Sequence, residues 1–280
     1  MDYDADGRSD IVTGSYTGEF YLFLRQADGA FAQRQLLVDE TGATLMMPFD
    51  TIYSVTAELV DMDADGDLDL VVGARSAAVQ IVANVGTRAA PKWSKERREL
   101  KTEGGELIKG SNAHHADWDG DGIADLIVGS EHDGVRWYRN VGAKDAPRYA
   151  AGAVLVDRDH SARQAEGSVP KGPGSRVKVH VSDWDEDGRA DLLVGDVTWQ
   201  ESKSGPPLTA TEEQEKATVE RQLDETVEKI AAATDEKLRA ELEKTRGELV
   251  KKYWSYERTK SHTHGWVWLY RRAPAPVAPR

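Results

Sequence analysis

A nine-residue stretch is written four times in this sequence: DYDADGRSD from Asp2, DMDADGDLD from Asp61, DWDGDGIAD from Asp117 and DWDEDGRAD from Asp183. Each copy is followed at once by a short apolar run closed by glycine, namely IVTG, LVVG, LIVG and LLVG. The shared pattern D-x-D-x-D-G-x-x-D crowds four carboxylates into each copy, and like charges that close hold a loop open unless a cation sits among them. Calcium accepts roughly six to eight oxygens from carboxylates, carbonyls and water in a flexible geometry. Alternate Asp residues point to one side of a tight loop, and the Gly permits the left-handed backbone that turns the chain around an ion. The expected ligands are Asp2, Asp4, Asp6 and Asp10; Asp61, Asp63, Asp65 and Asp69; Asp117, Asp119, Asp121 and Asp125; and Asp183, Asp185, Asp187 and Asp191. The seventh-position carbonyls of Arg8, Asp67, Ile123 and Arg189 add one oxygen per loop. Four structural calcium ions follow; the bland alternative is a set of Asp/Gly turns that bind no metal.

An EF-hand is excluded. It needs a bidentate Glu at the twelfth loop position and a helix on each side. Here the twelfth positions are Thr13, Val72, Val128 and Val194, and the short β-branched and Leu-rich runs read as buried strands. The repeat is also longer than the loop. Loop starts at 2, 61, 117 and 183 mark a recurring long period, the signature of a repeat architecture. Within each unit a strand enters the loop, as in SVTAELV before Asp61 and VKVHVS before Asp183, and the apolar strand leaves it. An aromatic or β-branched strand follows (GEFYLFLR, AAVQIVANVG, GVRWYRNVG, GWVWLYRR), then a further segment such as PKWSKERREL or PRYAAGAVLV. About four strands per unit describes a blade of a β-propeller.

With the loop, the apolar-Gly strand and the aromatic strand recurring in that order, the chain resembles the FG-GAP/VCBS repeat family. The resemblance covers nearly everything outside residues 200–262. It implies an all-β, calcium-stabilised propeller that is secreted, periplasmic or at the cell surface and serves adhesion or ligand binding, and it implies no single chemistry. The first unit has no entering strand and the last lacks its fourth segment, so the expectation is an arc of a larger propeller in a chain truncated at its N-terminus. The expected layout is blades one to four over 1–204, an inserted helical hairpin over 205–260, a returning strand over 261–272 and a Pro/Ala-rich tail over 273–280.

The formal charge of −13 is largely a metal-binding signal, because four divalent ions offset eight of those charges. No basic stripe suits nucleic acid, and no apolar run approaches the length of a membrane span. The absence of cysteine excludes disulfides and a thiol nucleophile. No G-x-S-x-G, H-E-x-x-H, P-loop or G-x-G-x-x-G is present.

Residues 211–257 break the pattern. They are rich in Glu, Lys, Arg, Leu and Ala, contain no Pro, and have capping boxes available at Thr209–Glu212 and Thr211–Gln214. Val219, Leu223, Val227 and Ile230, then Leu238, Leu242, Leu249 and Tyr253, give one apolar stripe on each of two helices. The strand at Trp266 should return beside the strand ending at Gly195, which requires an antiparallel hairpin bending near Ala232–Asp235. Such a hairpin either docks on its own fold or mediates self-association as a coiled coil.

Aligning the entering strands brings Glu58, His114 and His180 to one position, with Thr56, Asn112 and Lys178 two residues earlier and Arg176 two further back. On strands lining a central channel these side chains could converge as a transition-metal site or as acid and base groups of a carbohydrate-active or metal-dependent enzyme. The alternative is solvated channel lining, with His115 packed on the apolar side and His262 and His264 in a loop without function. Trp118 and Trp184, at the second loop position, and Trp137, Trp266 and Trp268, on strands, are expected to pack between blades rather than form a sugar platform. The favoured function is therefore a binding or adhesion scaffold for a protein or polysaccharide.

Overall fold

The computed structural model describes residues 1–48, 52–75, 77–158, 163–233 and 235–273. From residue 274 on, the tail expected over 273–280 lies outside them. The chain divides into two compact units. The first comprises Met1–Ala162, Val169–Thr198 and His264–Arg280; the second comprises Arg163–Ser168 and Trp199–Thr263.

The strands form four sheets. Strands β1 (Ile11–Gly14), β2 (Phe20–Phe23) and β3 (Gln35–Leu36) form the first. The second holds β4 (Thr56–Val60), β5 (Asp69–Gly73), β6 (Gln80–Val82) and β7 (Arg98–Glu99) in that order. The third holds β8 (Asn112–Ala116), β9 (Asp125–Gly129), β10 (Val135–Tyr138) and β11 (Ala153–Val156). In the fourth, β13 (Ser175–Ser182) and β15 (Thr259–Tyr270) flank β14 (Asp191–Lys203), and the short β12 (Arg163–Ala165) runs parallel to the far end of β14. Three of the four Asp loops each close an antiparallel hairpin of the same register: Val60↔Asp69, Ala116↔Asp125 and Ser182↔Asp191.

Strands β5 and β9 are buried on both faces. Leu70 and Val72 join a core shared with Phe20 and Leu22 of the first sheet, while Val71 between them points into the next core with Leu126 and Val128. Ile127 faces a third core with Val177, Leu192 and Val194. Strand alternation thus sends each of these two hydrophobic runs to two seams at once, which is why they read as continuously apolar.

The closing glycine of three of the four runs is a steric requirement of the seam. A Cβ on Gly14 would lie 2.3 Å from the carbonyl oxygen of Val55; on Gly129, 2.5 Å from that of Val177; on Gly73, 2.9 Å from the backbone of Asn112. Gly195, the fourth of the series, has nothing within 4 Å of that position.

The second unit carries α1 (Ala210–Ala232) and α2 (Glu236–Ser255). Thr209 opens α1 with a reciprocal capping box: its side chain accepts from the Glu212 N–H, and the Glu212 carboxylate accepts from the Thr209 N–H. Asp235 caps α2 by accepting from the Leu238 N–H at 2.7 Å. The ends are tied by Tyr256, which donates to Glu215 at 2.7 Å, and by the Arg258–Glu212 pair at 3.1 Å. Two expectations need correction. The buried face of α1 is Val219, Thr226 and Ile230, whereas Val227 and, on α2, Leu238 are exposed. A seven-residue step returns to the same face after two turns, and the eighth residue lies about 100° further round. The strand expected to end at Gly195 instead continues to Lys203, and its partner already begins at Thr259.

Candidate metal centres

Backbone geometry repeats across the four loops. The fourth position is left-handed in each: Ala5, Ala64, Gly120 and Glu186 have φ between 57° and 81°. The sixth-position glycines Gly7, Gly66, Gly122 and Gly188 follow with φ of 82–94°. The glycine requirement at position six is legible in the sequence. The strain at position four is not, except through Gly120 in the third copy.

The turn aims backbone donors at the first aspartate. Gly7, Gly66, Gly122 and Gly188 each donate to the first Asp of their loop at 2.9–3.3 Å. The carboxylates themselves converge. Asp2, Asp4 and Asp6; Asp61, Asp63 and Asp65; Asp117, Asp119 and Asp121; and Asp183, Asp185 and Asp191 each offer oxygens within 4.8 Å of one another.

The ninth aspartate stands apart in its surroundings. Asp10, Asp69, Asp125 and Asp191 are all buried. One oxygen of each accepts from the second-position N–H of its own loop, at 2.8 Å from Tyr3, 3.3 Å from Met62, 3.3 Å from Trp118 and 3.0 Å from Trp184. The other accepts from the backbone at the end of the strand beyond, at 2.7 Å from Arg25, 2.9 Å from Asn84, 2.7 Å from Asn140 and 2.8 Å from Arg272. Asp125 also accepts from the Trp137 indole at 2.8 Å. This carboxylate buckles the loop to its sheet. In the first three loops it lies outside the converging set; in the fourth, Asp191 belongs to that set and Asp187 does not.

Arginines neutralise three of the loops. Arg8 pairs with Asp6 and Arg189 with Asp187, both from the seventh position, where the sequence pointed only to a carbonyl. Arg139 reaches Asp119 at 2.6 Å and Asp121 at 3.1 Å, and Arg271 reaches Asp185 at 3.5 Å. Among the described residues no ion pair reaches the second loop. There, burial pushes the Asp67 carboxyl up and the charges of Asp65, Asp63 and Asp61 push it further; burial likewise raises Asp69.

This donor set suits a hard cation. All converging atoms are carboxylate oxygens, and Asp61 Oδ1 is buried with no hydrogen-bond partner. The sequence model of the FG-GAP-like repeat matches residues 2–72 and 117–194, more than half of the chain. The chain belongs to the FG-GAP-like repeat family. No curated protein matches it. FG-GAP-like repeats here account for both the loops and the apolar-Gly strands that follow them.

The polar residues of the entering strands are brought together. His114 Nδ1 lies 3.1 Å from Glu58 Oε1, and the His114 and His180 rings meet at a tilt of 51° with centroids 4.7 Å apart. Glu58 Oε1 also accepts from the His115 N–H at 3.2 Å. Burial alone would raise the Glu58 carboxyl, but the hydrogen bonds and charges of His114 and His115 outweigh it and hold it at about 2. Burial lowers Lys178 to about 8 and also lowers His180. The Lys178 ammonium donates to the Ser111 carbonyl. Among the described residues, the groups that converge tightly enough for a metal all lie in the four loops, so Glu58, His114 and His180 do not form a preorganised ligand set. The tryptophans divide. Trp118, Trp137 and Trp268 pack against the third core, with Arg272 over the Trp118 ring at 4.9 Å. Trp184 is exposed, contrary to the expectation that it packs. Among the described residues, no helix is long and apolar enough to cross a membrane.

Proposed function

We propose that this chain is a run of neighbouring blades of a calcium-stabilised β-propeller, and that it serves outside the cytoplasm as a binding or adhesion scaffold for a protein or polysaccharide. The observation that carries this reading is the fourfold loop: one backbone path, with carboxylate oxygens converging in each copy. Asp2, Asp4 and Asp6 and their counterparts Asp61, Asp63 and Asp65, Asp117, Asp119 and Asp121, and Asp183, Asp185 and Asp187 would hold the ions, with Asp191 joining in the fourth loop. A bound calcium ion supplies positive charge and oxygen coordination, which holds each hairpin shut. The chain's own contribution is to present the oxygens from turns already fixed by left-handed residues and glycine donors.

The alternative of a channel enzyme is less well supported. The Glu58 carboxyl is held ionised down to low pH by its hydrogen bonds to His114 and His115, and the Lys178 ammonium donates to a carbonyl of the neighbouring sheet, so both groups act as ties between strands. The hairpin leaves Val227, Leu238, Val250 and Trp254 exposed, which suits self-association through that element. Deletion of residues 205–260 tests it, since loss of oligomers with an intact calcium response is expected.

Calcium-dependent thermal unfolding, with chelator as control and magnesium as comparator, tests the central reading. About four calcium ions per chain and a rise in Tm with calcium alone are expected. No bound metal and no shift would reduce the loops to turns.

A further inference from the structure

Between β7 and the connection from β3 to β4 lies an open groove of about 800 Å³, within the range of about 300–1,000 Å³ that holds small ligands. One rim is apolar, formed by Pro48 and Ile52, whose backbones are joined by a 2.7 Å hydrogen bond from the Ile52 N–H to the Pro48 carbonyl. The facing wall is basic and carries Lys95, Arg97, Arg98 and Lys101. Elsewhere in this acidic chain arginine meets carboxylate: Arg8, Arg139, Arg189 and Arg271 on the Asp loops, Arg75 on Glu131 and Arg148 on Glu103. Among the described residues, no ion pair engages any of the four cations of the groove; Arg97 only touches Met47 Sδ, at 3.7 Å.

The floor of the groove is polar where its strand is otherwise apolar. Gln80 on β6 lines the groove at 8 % exposure, and its Oε1 is buried with no hydrogen-bond partner. Its neighbours Val79, Ile81 and Val82 are buried aliphatic residues, so the unpaired amide costs stability that a further aliphatic side chain would not. Gln80 stands opposite Glu99 in the β6–β7 ladder, which puts the two on one face, and Arg97 and Lys101 share that face at alternate positions. The row Arg97, Glu99, Lys101 is about 13 Å long, with the Gln80 amide beside its middle.

We propose, building on the scaffold reading above, that this groove binds an acidic oligosaccharide, a short run of uronic acid residues. Lys95, Arg97 and Lys101 hold its carboxylates, Pro48 and Ile52 cover the apolar face of a sugar ring, and Gln80 Oε1 and the Glu99 carboxylate accept from its hydroxyls. The cations form a row and not a ring, which suits spaced charges better than one compact anion. Glu99 within the row repels a ligand of dense charge such as a phosphate chain. An ionised carboxylate and an amide oxygen can only accept, so the ligand must bring donors between its charges, as sugar hydroxyls do.

The probe is trigalacturonate, titrated into the full chain in calcium buffer by calorimetry, with its methyl ester and inorganic sulfate as comparators. Binding of the free acid alone is expected. The double variant R97A/K101A should weaken it about tenfold or more. Q80L should weaken it as well while leaving Tm equal or higher, because it removes a buried unpaired amide. K244A, which takes a charge from α2, should bind as wild type does. No binding, equal binding of the methyl ester or of sulfate, or wild-type affinity in R97A/K101A would overturn the site. Tm with and without calcium, measured alongside, separates the two readings. A chain that keeps its calcium response and binds no trigalacturonate fails here alone. One that lacks the calcium response but binds the trimer through Arg97 and Lys101 keeps this site and loses the calcium-stabilised propeller.

Discussion

Replacing Asp125 by Ala should destabilise the protein whether or not calcium is present. The carboxylate is fully buried and accepts from the backbone of Asn140 at 2.7 Å, the Trp137 indole at 2.8 Å and the Trp118 backbone at 3.3 Å. A hydrogen bond to a charged group contributes about 1.5–3 kcal/mol net, and removing the acceptor strands its donors. Burial pushes this carboxyl up, so ionisation is already penalised and the lower end of that range applies. Three donors then give a loss of about 4–5 kcal/mol, a large part of a typical domain's stability of about 5–15 kcal/mol. D119A provides the contrast. In chelator it removes the partly exposed pair with Arg139 and a long acceptor contact to the Asp121 N–H at 3.3 Å, costing about 1 kcal/mol, and it shows its main effect when calcium is added. Urea unfolding of wild type, D125A and D119A in chelator and in calcium measures both. If D125A matched wild type in chelator and lost stability only in calcium, the ninth aspartate would be a ligand first and a strand clasp second.

Four further outcomes follow from other parts of the fold. D63N, in the one loop that no arginine neutralises among the described residues, should raise Tm in chelator and weaken calcium binding, as read by calorimetry. Glu58 has its pKa lowered to about 2 from 4.5, so its stabilisation is complete above pH about 4.5 and is lost as pH falls towards 2. The amount is about 3 kcal/mol, and E58Q should flatten acid unfolding in that window. G129A should unfold or severely destabilise the protein and G195A should be nearly neutral, because only the first places a Cβ against the next sheet. V219A should cost the helical hairpin about 2 kcal/mol, seen as faster amide exchange across α1 and α2.

Much of this was legible because it rests on local patterns. The four loops, the apolar strands after them, the cap at Thr209 and the bend near Ala232–Asp235 are set by residues within a few positions of one another. What escaped depends on chain that arrives later. In sequence the ninth aspartate looks like the other three; what separates it is the return of Arg25, Asn84, Asn140 or Arg272 to its second oxygen. The arginine counter-charges are of the same kind, since Arg139 lies 18 residues from Asp121. The extension of β14 and β15 escaped because TWQESK and TKSHTH carry no sustained apolar alternation. Thr226 was hidden by a polar side chain that satisfies itself, its hydroxyl donating to the Gln222 carbonyl at 2.6 Å.

The spacing of these clasps sets an order of events during synthesis. Asp10, Asp69 and Asp125 each find their second donor 15 residues downstream, whereas Asp191 waits 81 residues for Arg272. Closing the longer span costs about 1.5 kcal/mol more in chain entropy. At roughly 5–20 residues per second, several seconds pass at the ribosome between Asp191 and its partner. During that interval β14 has an open flank while the first three sheets can already be latched. The helical hairpin lies within the delay, and its contacts are local. By folding first it would bring Lys203 and Thr259 together, so that β15 joins β14 from a short tether instead of a long one.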